Sequence, residues 1–262
     1  MKFDLLDHGY VELVEHWGSD ERIIEAARMS TQKGFKGWVP KCSKCGIPMV
    51  ALSWGGFSQA DYERGAQKDC DHDAAAPGDE KLLKYLWDNK HATPFEMAGL
   101  TIEVKAPIFV FREWHRHRTQ SYNEMSARYI PLPDENYVPT AERLRPSGDT
   151  NKQAQGTVAF DAERADRWLV SLSSLYALIE TTYQAGLKAG VPKEVARIIL
   201  PVGRYSIMRA SANLRNWLAF LKLRCDPAAQ WEIRQYANAV AEIVAAKFPR
   251  TYVLAKEDLE TA

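Results

Sequence analysis

The densest run of residues with chemical capacity lies between Arg112 and Arg128, in the stretch FREWHRHRTQSYNEMSARY. It holds four arginines (Arg112, Arg116, Arg118 and Arg128) and two histidines, His115 and His117. Such a cluster repels itself unless it is solvated or faces an anion, and arginine is suited to bidentate capture of phosphate. Ser121, Asn123, Glu124 and Ser126 add hydroxyl, amide and carboxylate groups able to read a base edge or a sugar. By composition alone, a solvated basic helix followed by a polar loop explains the stretch equally well. A second candidate centre is Cys42-x2-Cys45 followed by Cys70-x-His72. Three thiols and an imidazole suit a tetrahedral structural zinc, with reduced, metal-free cysteines as the alternative. No GxGxxG, GxxxxGK[ST] or HExxH occurs. Neither a Rossmann nor a P-loop phosphate cradle is available, which leaves these arginines as the best phosphate binders.

Spacing sharpens the first candidate. Residues 116–128, RHRTQSYNEMSAR, match RHRxxSxNxxSxR at all seven fixed positions, the signature of flavin-dependent thymidylate synthases, and the chain resembles that family well beyond it. His91 to Glu96 (HATPFE) is similar to the family's HxTPFE element, and Val104 to Val110 to its lead-in to the signature. Val191 to Pro201, Asn213 to Arg215, Phe220 to Arg224 (FLKLR) and Ala229 to Ile233 look like its C-terminal blocks in the same order. The resemblance covers residues 1–30 and 80–250.

It implies a reaction and a set of roles. The reaction would be reductive methylation of dUMP to dTMP, with 5,10-methylenetetrahydrofolate as carbon donor and NADPH-reduced FAD as hydride source. Thr93, Arg116, His117, Arg118, Glu124, Asn213 and Arg215 would bind FAD. Glu113, Trp114, His115, Arg116, Glu124, Met125, Ser126, Ala127, Arg128, Arg197 and Arg224 would surround dUMP. Arg224, Ser126 and His91 would serve catalysis, Arg224 by favouring ionisation at N3 of the uracil, whose C5 is a poor nucleophile. Ser126 reads as a hydrogen-bonding ligand of dUMP, because the motif places no general base beside it. The family works as a homotetramer with active sites at subunit interfaces. This chain departs from its pattern at Ala219, where relatives place His or Asn, and at Ala228, where many have the histidine of DxHAQWE. Each replacement removes a contact worth ~1 kcal/mol if a neutral hydrogen bond is lost. Glu113 stands where some relatives have Gln.

The elements that must position these residues can be read from periodicity. Residues 3–13 read as one or two short strands with a turn at His8-Gly9, and Ser19-Asp20 as the cap of a helix over 21–30. From about 32 to 78 periodicity disappears, which marks an insertion with its own small fold or a long excursion, and the possible zinc-binding subdomain. A helix over 80–89 capped by Asp79, a strand over 99–105 and a helix over 108–118 follow, the last placing Arg112 and Arg116 on one face. Further helices are expected over 162–188, 193–200, 210–223 and 227–247. Strands first and helices after give an α+β fold, a mainly antiparallel central sheet with flanking helices and a helical C-terminal half, in one domain over 1–262. Trp168, Trp217 and Trp231 read as core, and Cys225 as a packed, idle thiol.

The bulk numbers exclude more than they assign. Lysine plus arginine equals aspartate plus glutamate at 34 each, so nothing in the overall charge suggests a nucleic acid or a membrane as partner. No apolar run approaches the ~20 residues that span a bilayer, and the N-terminus lacks a signal peptide's apolar core, so cytoplasmic residence is expected. A zinc-ribbon nucleic-acid binder built on the insertion is the rival from another class, and Asp69, Asp71 and Asp73 beside the cysteines weigh against it. A flavin-dependent methyltransferase acting on another uracil compound is the second rival.

Overall fold

The computed structural model describes residues 1–39, 41–42, 75–76, 78–146, 156 and 160–260. The hairpin β1 (Lys2–Leu5) and β2 (Gly9–Trp17) is followed by α1 (Asp20–Ala27). The short ribbon β3 (Lys41–Cys42) and β4 (Ala75–Ala76) comes next, then α2 (Asp79–Asp88) and α3 (Ala92–Glu96). The centre of the chain supplies β5 (Gly99–Pro107), α4 (Ile108–Trp114) and β6 (Ser121–Glu124). The rest gives α5 (Ala162–Lys188), α6 (Lys193–Ala196), β7 (Tyr205–Asn213), α7 (Leu214–Arg224), α8 (Trp231–Lys247) and α9 (Pro249–Glu260). The α+β expectation holds.

One antiparallel sheet of order β1-β2-β5-β7-β6 organises the molecule. Its centre follows from alternation. Leu100, Ile102, Val104 and Ala106 of β5 and Met208, Ala210 and Ala212 of β7 all turn to the buried face. Against that face pack α7 and α8, through an aromatic group of Trp114, Trp217, Phe220 and Tyr236. The Trp217 indole N–H donates to the Leu100 carbonyl at 2.9 Å, so this buried donor is satisfied.

Several expectations are corrected. Residues 205–213 form a central strand, whereas helical periodicity was expected from 210; helix α7 begins only at Leu214, where Asn213 caps it by accepting from the Asn216 N–H at 3.0 Å. The helix expected over 108–118 stops at Trp114. There the Tyr122 hydroxyl donates to the Trp114 and His117 carbonyls (3.1 and 2.7 Å), taking acceptors that another helical turn would have used. Arg112 and Arg116 therefore do not share a helix face. Gly78, not Asp79, is the N-cap residue of α2. The buried Asp79 carboxylate instead accepts the Lys36 and Gly37 N–H groups and pairs with Arg28, fastening the entry of the insertion to its exit. The helix expected over 193–200 is α6 followed by a 3-10 turn at Arg197–Ile199, and the one expected from 227 starts at Trp231. The expectation for 162–188 stands, with Asp161 capping α5; the first helix is capped by Ser19 as expected but ends at Ala27, not 30, and a 3-10 turn at Met29–Thr31 follows. Helix α9 was not anticipated; Pro249 opens it, and buried Asp20 accepts the Arg250 and Thr251 N–H groups at its start.

Candidate functional site

The first half of the signature is held by a knot of three side chains. Arg224, at the last residue of α7, donates Nε–H to His117 Nε2, one Nη to Glu113 Oε2 and the other to the Glu113 carbonyl, each at 2.9 Å. Five N–H donors belong to a guanidinium, so three bonds leave two unspent. The Arg224 side chain is 15% exposed and that of Glu113 42%, which leaves the knot open on one side. His117 can accept from Arg224 only as a neutral imidazole protonated at Nδ1. Burial, reinforced by the Arg224 charge, lowers its pKa to about 4.

Around the knot, α4 and β6 are locked by packing and hydrogen bonds within the chain. Trp114 is fully buried, stacked on Phe220 at 4.6 Å, and its indole donates to Gln120 Oε1 at 3.1 Å. Its side chain belongs to the core, which leaves only main chain for the substrate contact expected of Trp114. Ala127 is likewise buried. His115 lies edge-on to Tyr122 and has Nε2 3.2 Å from the Met208 sulfur. The Tyr122 hydroxyl, clamped on two carbonyls, is pushed up to about 12 by burial and stays a donor. Arg116 and Arg118 project into solvent from the turn beyond α4, and Asn216 from α7 ties that turn at the Thr119 carbonyl, 3.2 Å away.

The second half of the signature sits at the edge of the sheet. Glu124 ends β6 and is exposed; the Met125 N–H donates to the Ile207 carbonyl at 2.8 Å. Ser126 Oγ accepts the Arg128 N–H at 3.3 Å in the turn that follows. Arg128 approaches Glu194 of α6 at 3.7 Å and Lys193 donates to the Tyr129 carbonyl, which brings this turn beside the segment that carries exposed Arg197.

A third group lines a cavity of about 270 Å³ between α2, α3, α7 and α9. Leu86, Trp87, Phe95, Leu218 and Ala255 form its apolar wall, and His91, Arg215, Lys90 and Lys222 supply its polar rim. Of the expected residues it gathers His91 and Arg215, the latter bound to Glu96 at 2.6 Å. Exposed Thr93 lies on the same short helix α3, and Asn213 spends its carboxamide oxygen on the cap of α7. Ala219 lines the cavity without a polar atom. Sequence reasoning missed Trp87, Lys90 and Lys222. The seven-residue spacing of Arg215 and Lys222 on one helix face was the available signal.

Cys225 packs against the core, and burial raises its thiol to about 11, in keeping with an idle group. Of the zinc set, Cys45, Cys70 and His72 lie outside the described residues, and Cys42 is described by its backbone alone. No group of three metal-ligating side chains occurs among the described residues, and no described helix is long and apolar enough to cross a membrane.

Comparison with known proteins is consistent across sequence and structure. Residues 12–250 match the family model described as thymidylate synthase complementing protein. The flavin-dependent thymidylate synthase of Wolbachia pipientis wMel is 36% identical over 248 residues, 95% of this chain and 74% of that protein. That of Thermotoga neapolitana is 36% identical over 252 residues, covering 96% and 93%. Among solved structures, the UMP/dUMP methylase PolB from Streptomyces cacaoi, bound with 5-Br UMP, superposes with a TM-score of 0.73 at 29% identity over 97% of both chains.

Proposed function

This chain belongs to the flavin-dependent thymidylate synthase family, and we propose that it converts dUMP, 5,10-methylenetetrahydrofolate, NADPH and a proton to dTMP, tetrahydrofolate and NADP⁺ with FAD as its flavin. The observation that carries the reading is the Arg224 knot. A uracil ring attacks through C5 only as negative charge develops across N3 and its flanking carbonyls. A fixed guanidinium with two unspent N–H groups stabilises that charge without reorganising. Glu113 and neutral His117 aim it, and Tyr122 and Gln120 hold the turn that carries His117.

The residues present also fit a flavin dinucleotide. The cavity offers an apolar wall with an aromatic face and a basic rim, the donor set for a planar ring joined to phosphates. When bound, reduced flavin supplies the hydride that turns the transferred methylene into a methyl group. Arg116, His117, Arg118, Glu124, Thr93, Asn213 and Arg215 would bind it. Arg128, Arg197, Ser126 and their neighbours would hold the nucleotide, the arginines on its phosphate. Ser126 acts as a hydrogen-bonding ligand.

A homotetramer is part of the same reading. In α5 only Ala165 and Tyr183 of 27 residues are buried, while Trp168, expected in the core, stands 48% exposed and Val170, Leu175 and Leu178 stand 52–66% exposed. Ile198 and Val202, near Arg197, are exposed apolar residues as well, and such residues suit a subunit interface. A structural zinc on Cys42, Cys45, Cys70 and His72 completes it, checked by elemental analysis, with metal-free protein removing that part alone.

The deciding assay follows dTMP formation from dUMP with the folate donor and NADPH, with and without added FAD, alongside deoxyuridine and UMP. FAD-dependent product from dUMP and little from deoxyuridine supports the reading. Equal turnover of UMP would widen it to a uracil-nucleotide methylase, the breadth that the PolB description carries. No product from a flavin-loaded tetramer would refute it.

A further inference from the structure

We infer that Lys90 and Lys222 hold the phosphates of the flavin dinucleotide at the mouth of the cavity between α2 and α7. This rests on the reading of the chain as an FAD enzyme and adds two residues that the family signature does not name.

The α7 side of the argument is periodicity. Arg215, Leu218, Ala219 and Lys222 stand at i, i+3, i+4 and i+7 and form the stripe that lines the cavity. Ala219 offers no hydrogen-bonding atom where relatives carry His or Asn, and the next polar group along the stripe is the Lys222 ammonium.

On the opposite wall, the end of α2 is built in an unusual way. Lys90 adopts a left-handed backbone, φ 56°. Its N–H donates to the Trp87 carbonyl and that of His91 to the Leu86 carbonyl, both at 2.9 Å. That pair of bonds defines a helix end whose left-handed position strongly favours glycine, having no Cβ to clash. A lysine there accepts backbone strain that glycine would relieve, and strain kept beside a cavity points to a use for the side chain. Among the described residues no hydrogen bond or ion pair engages either ammonium. Nearby cations differ, since Arg215 is paired with Glu96 and Lys84 with Asp88. Two uncompensated cations over an apolar, tryptophan-containing wall suit an adenine or flavin ring continuing into phosphates. The cavity opens to solvent, and Lys90 and Lys222 are exposed at its rim, where phosphates linked to a ring on the apolar wall would fall.

The test compares FAD and riboflavin affinity of the flavin-stripped full-length protein by quenching of flavin fluorescence, for wild type, Lys222→Ala, Lys90→Ala and Lys90→Gly. Each variant is expected to lose roughly tenfold or more in FAD affinity, the size of a charge-assisted hydrogen bond, and to bind riboflavin as wild type does. Lys90→Gly separates function from folding. Its melting temperature should hold or rise as strain is released, while FAD affinity falls; a structural lysine would move the two together. FAD affinities within twofold of wild type in all variants overturn the assignment. So does a loss seen only in KM for NADPH or for methylenetetrahydrofolate, which would give the lysines to another anion. Wild-type protein that binds neither FAD nor riboflavin would overturn the FAD reading itself and this inference with it.

Discussion

Arg204 and Arg224 lie on either side of the β7–α7 unit, each held by several hydrogen bonds, and they have opposite uses. Arg204 is fully buried, donates to Asp134 and the Pro133 carbonyl at 2.9 and 2.8 Å, and pairs with Glu180 of α5. Two carboxylates outnumber one cation, and the result is a staple between the 133–134 loop and a long helix. Arg224 is matched by one half-exposed carboxylate and a neutral imidazole. One carboxylate matches its charge, none is left over, and two of its N–H groups are free to meet something else. The difference shows that an arginine's anion balance, more than its burial, separates a structural cation from one kept for a ligand.

The largest effect should come from the staple. Arg204→Met removes a fully buried cation and the partner of the part-buried Glu180, and should destabilise by about 3–5 kcal/mol, lowering the melting temperature by ~6–15 °C. A melting temperature within 2 °C of wild type, by calorimetry, would place Arg204 in the same class as Arg224 and end the contrast. Arg224→Ala should do the reverse. Turnover should fall by ~10²–10³, while the melting temperature and FAD affinity change little, because Glu113 is open to water. A loss of stability as large as that of Arg204→Met would make Arg224 a staple as well. Smaller still, Ser126→Ala removes one neutral hydrogen bond, about 1 kcal/mol, and should slow dTMP formation only several-fold. Complete loss with dUMP binding intact would make Ser126 a participant in bond making.

The contrast was half legible in the sequence. The resemblance to the family's signature marked Arg116 to Arg128 and its C-terminal blocks marked FLKLR, because such motifs are local. The partners of Arg224 were not legible, since Glu113 lies 111 residues away and only the packing of α4 against α7 joins them. Strand β7 was misread for a physical reason. YSIMRASAN carries one β-branched residue, and its buried positions are filled by Ser206, Met208, Ala210 and Ala212, residues equally at home on a helix. Tertiary pairing with β5 and β6, not propensity, makes it a strand. SYNE in β6 is an edge strand with polar outward positions and so shows no alternation. Lys90 went unnoticed because its significance is a backbone angle.

The finest discrimination lies inside the open knot, in the proton of His117. Its pKa in the folded chain is about 4, lowered first by burial and then by Arg224, against about 6.5 for an unfolded histidine. Between these values the unfolded chain binds more protons than the folded one, so stability is full above pH 6.5 and declines as pH falls toward 4. Protonation there also ends the acceptor role of Nε2 and sets two cations face to face, releasing the Arg224 guanidinium from its aim. His117→Gln keeps an acceptor for Arg224 and removes the titration. Melting temperature followed from pH 7 to 4 should therefore fall less steeply in His117→Gln than in wild type. The margin should be a few degrees at most, because the imidazole is half-buried and solvent screens its charge. Asp20 and Glu80, both raised by burial, act in the opposite sense but are common to both proteins and drop out of the difference. Parallel slopes would mean that His117 does not face Arg224 as a neutral acceptor, and the second partner that distinguishes the Arg224 knot from the Arg204 staple would be lost.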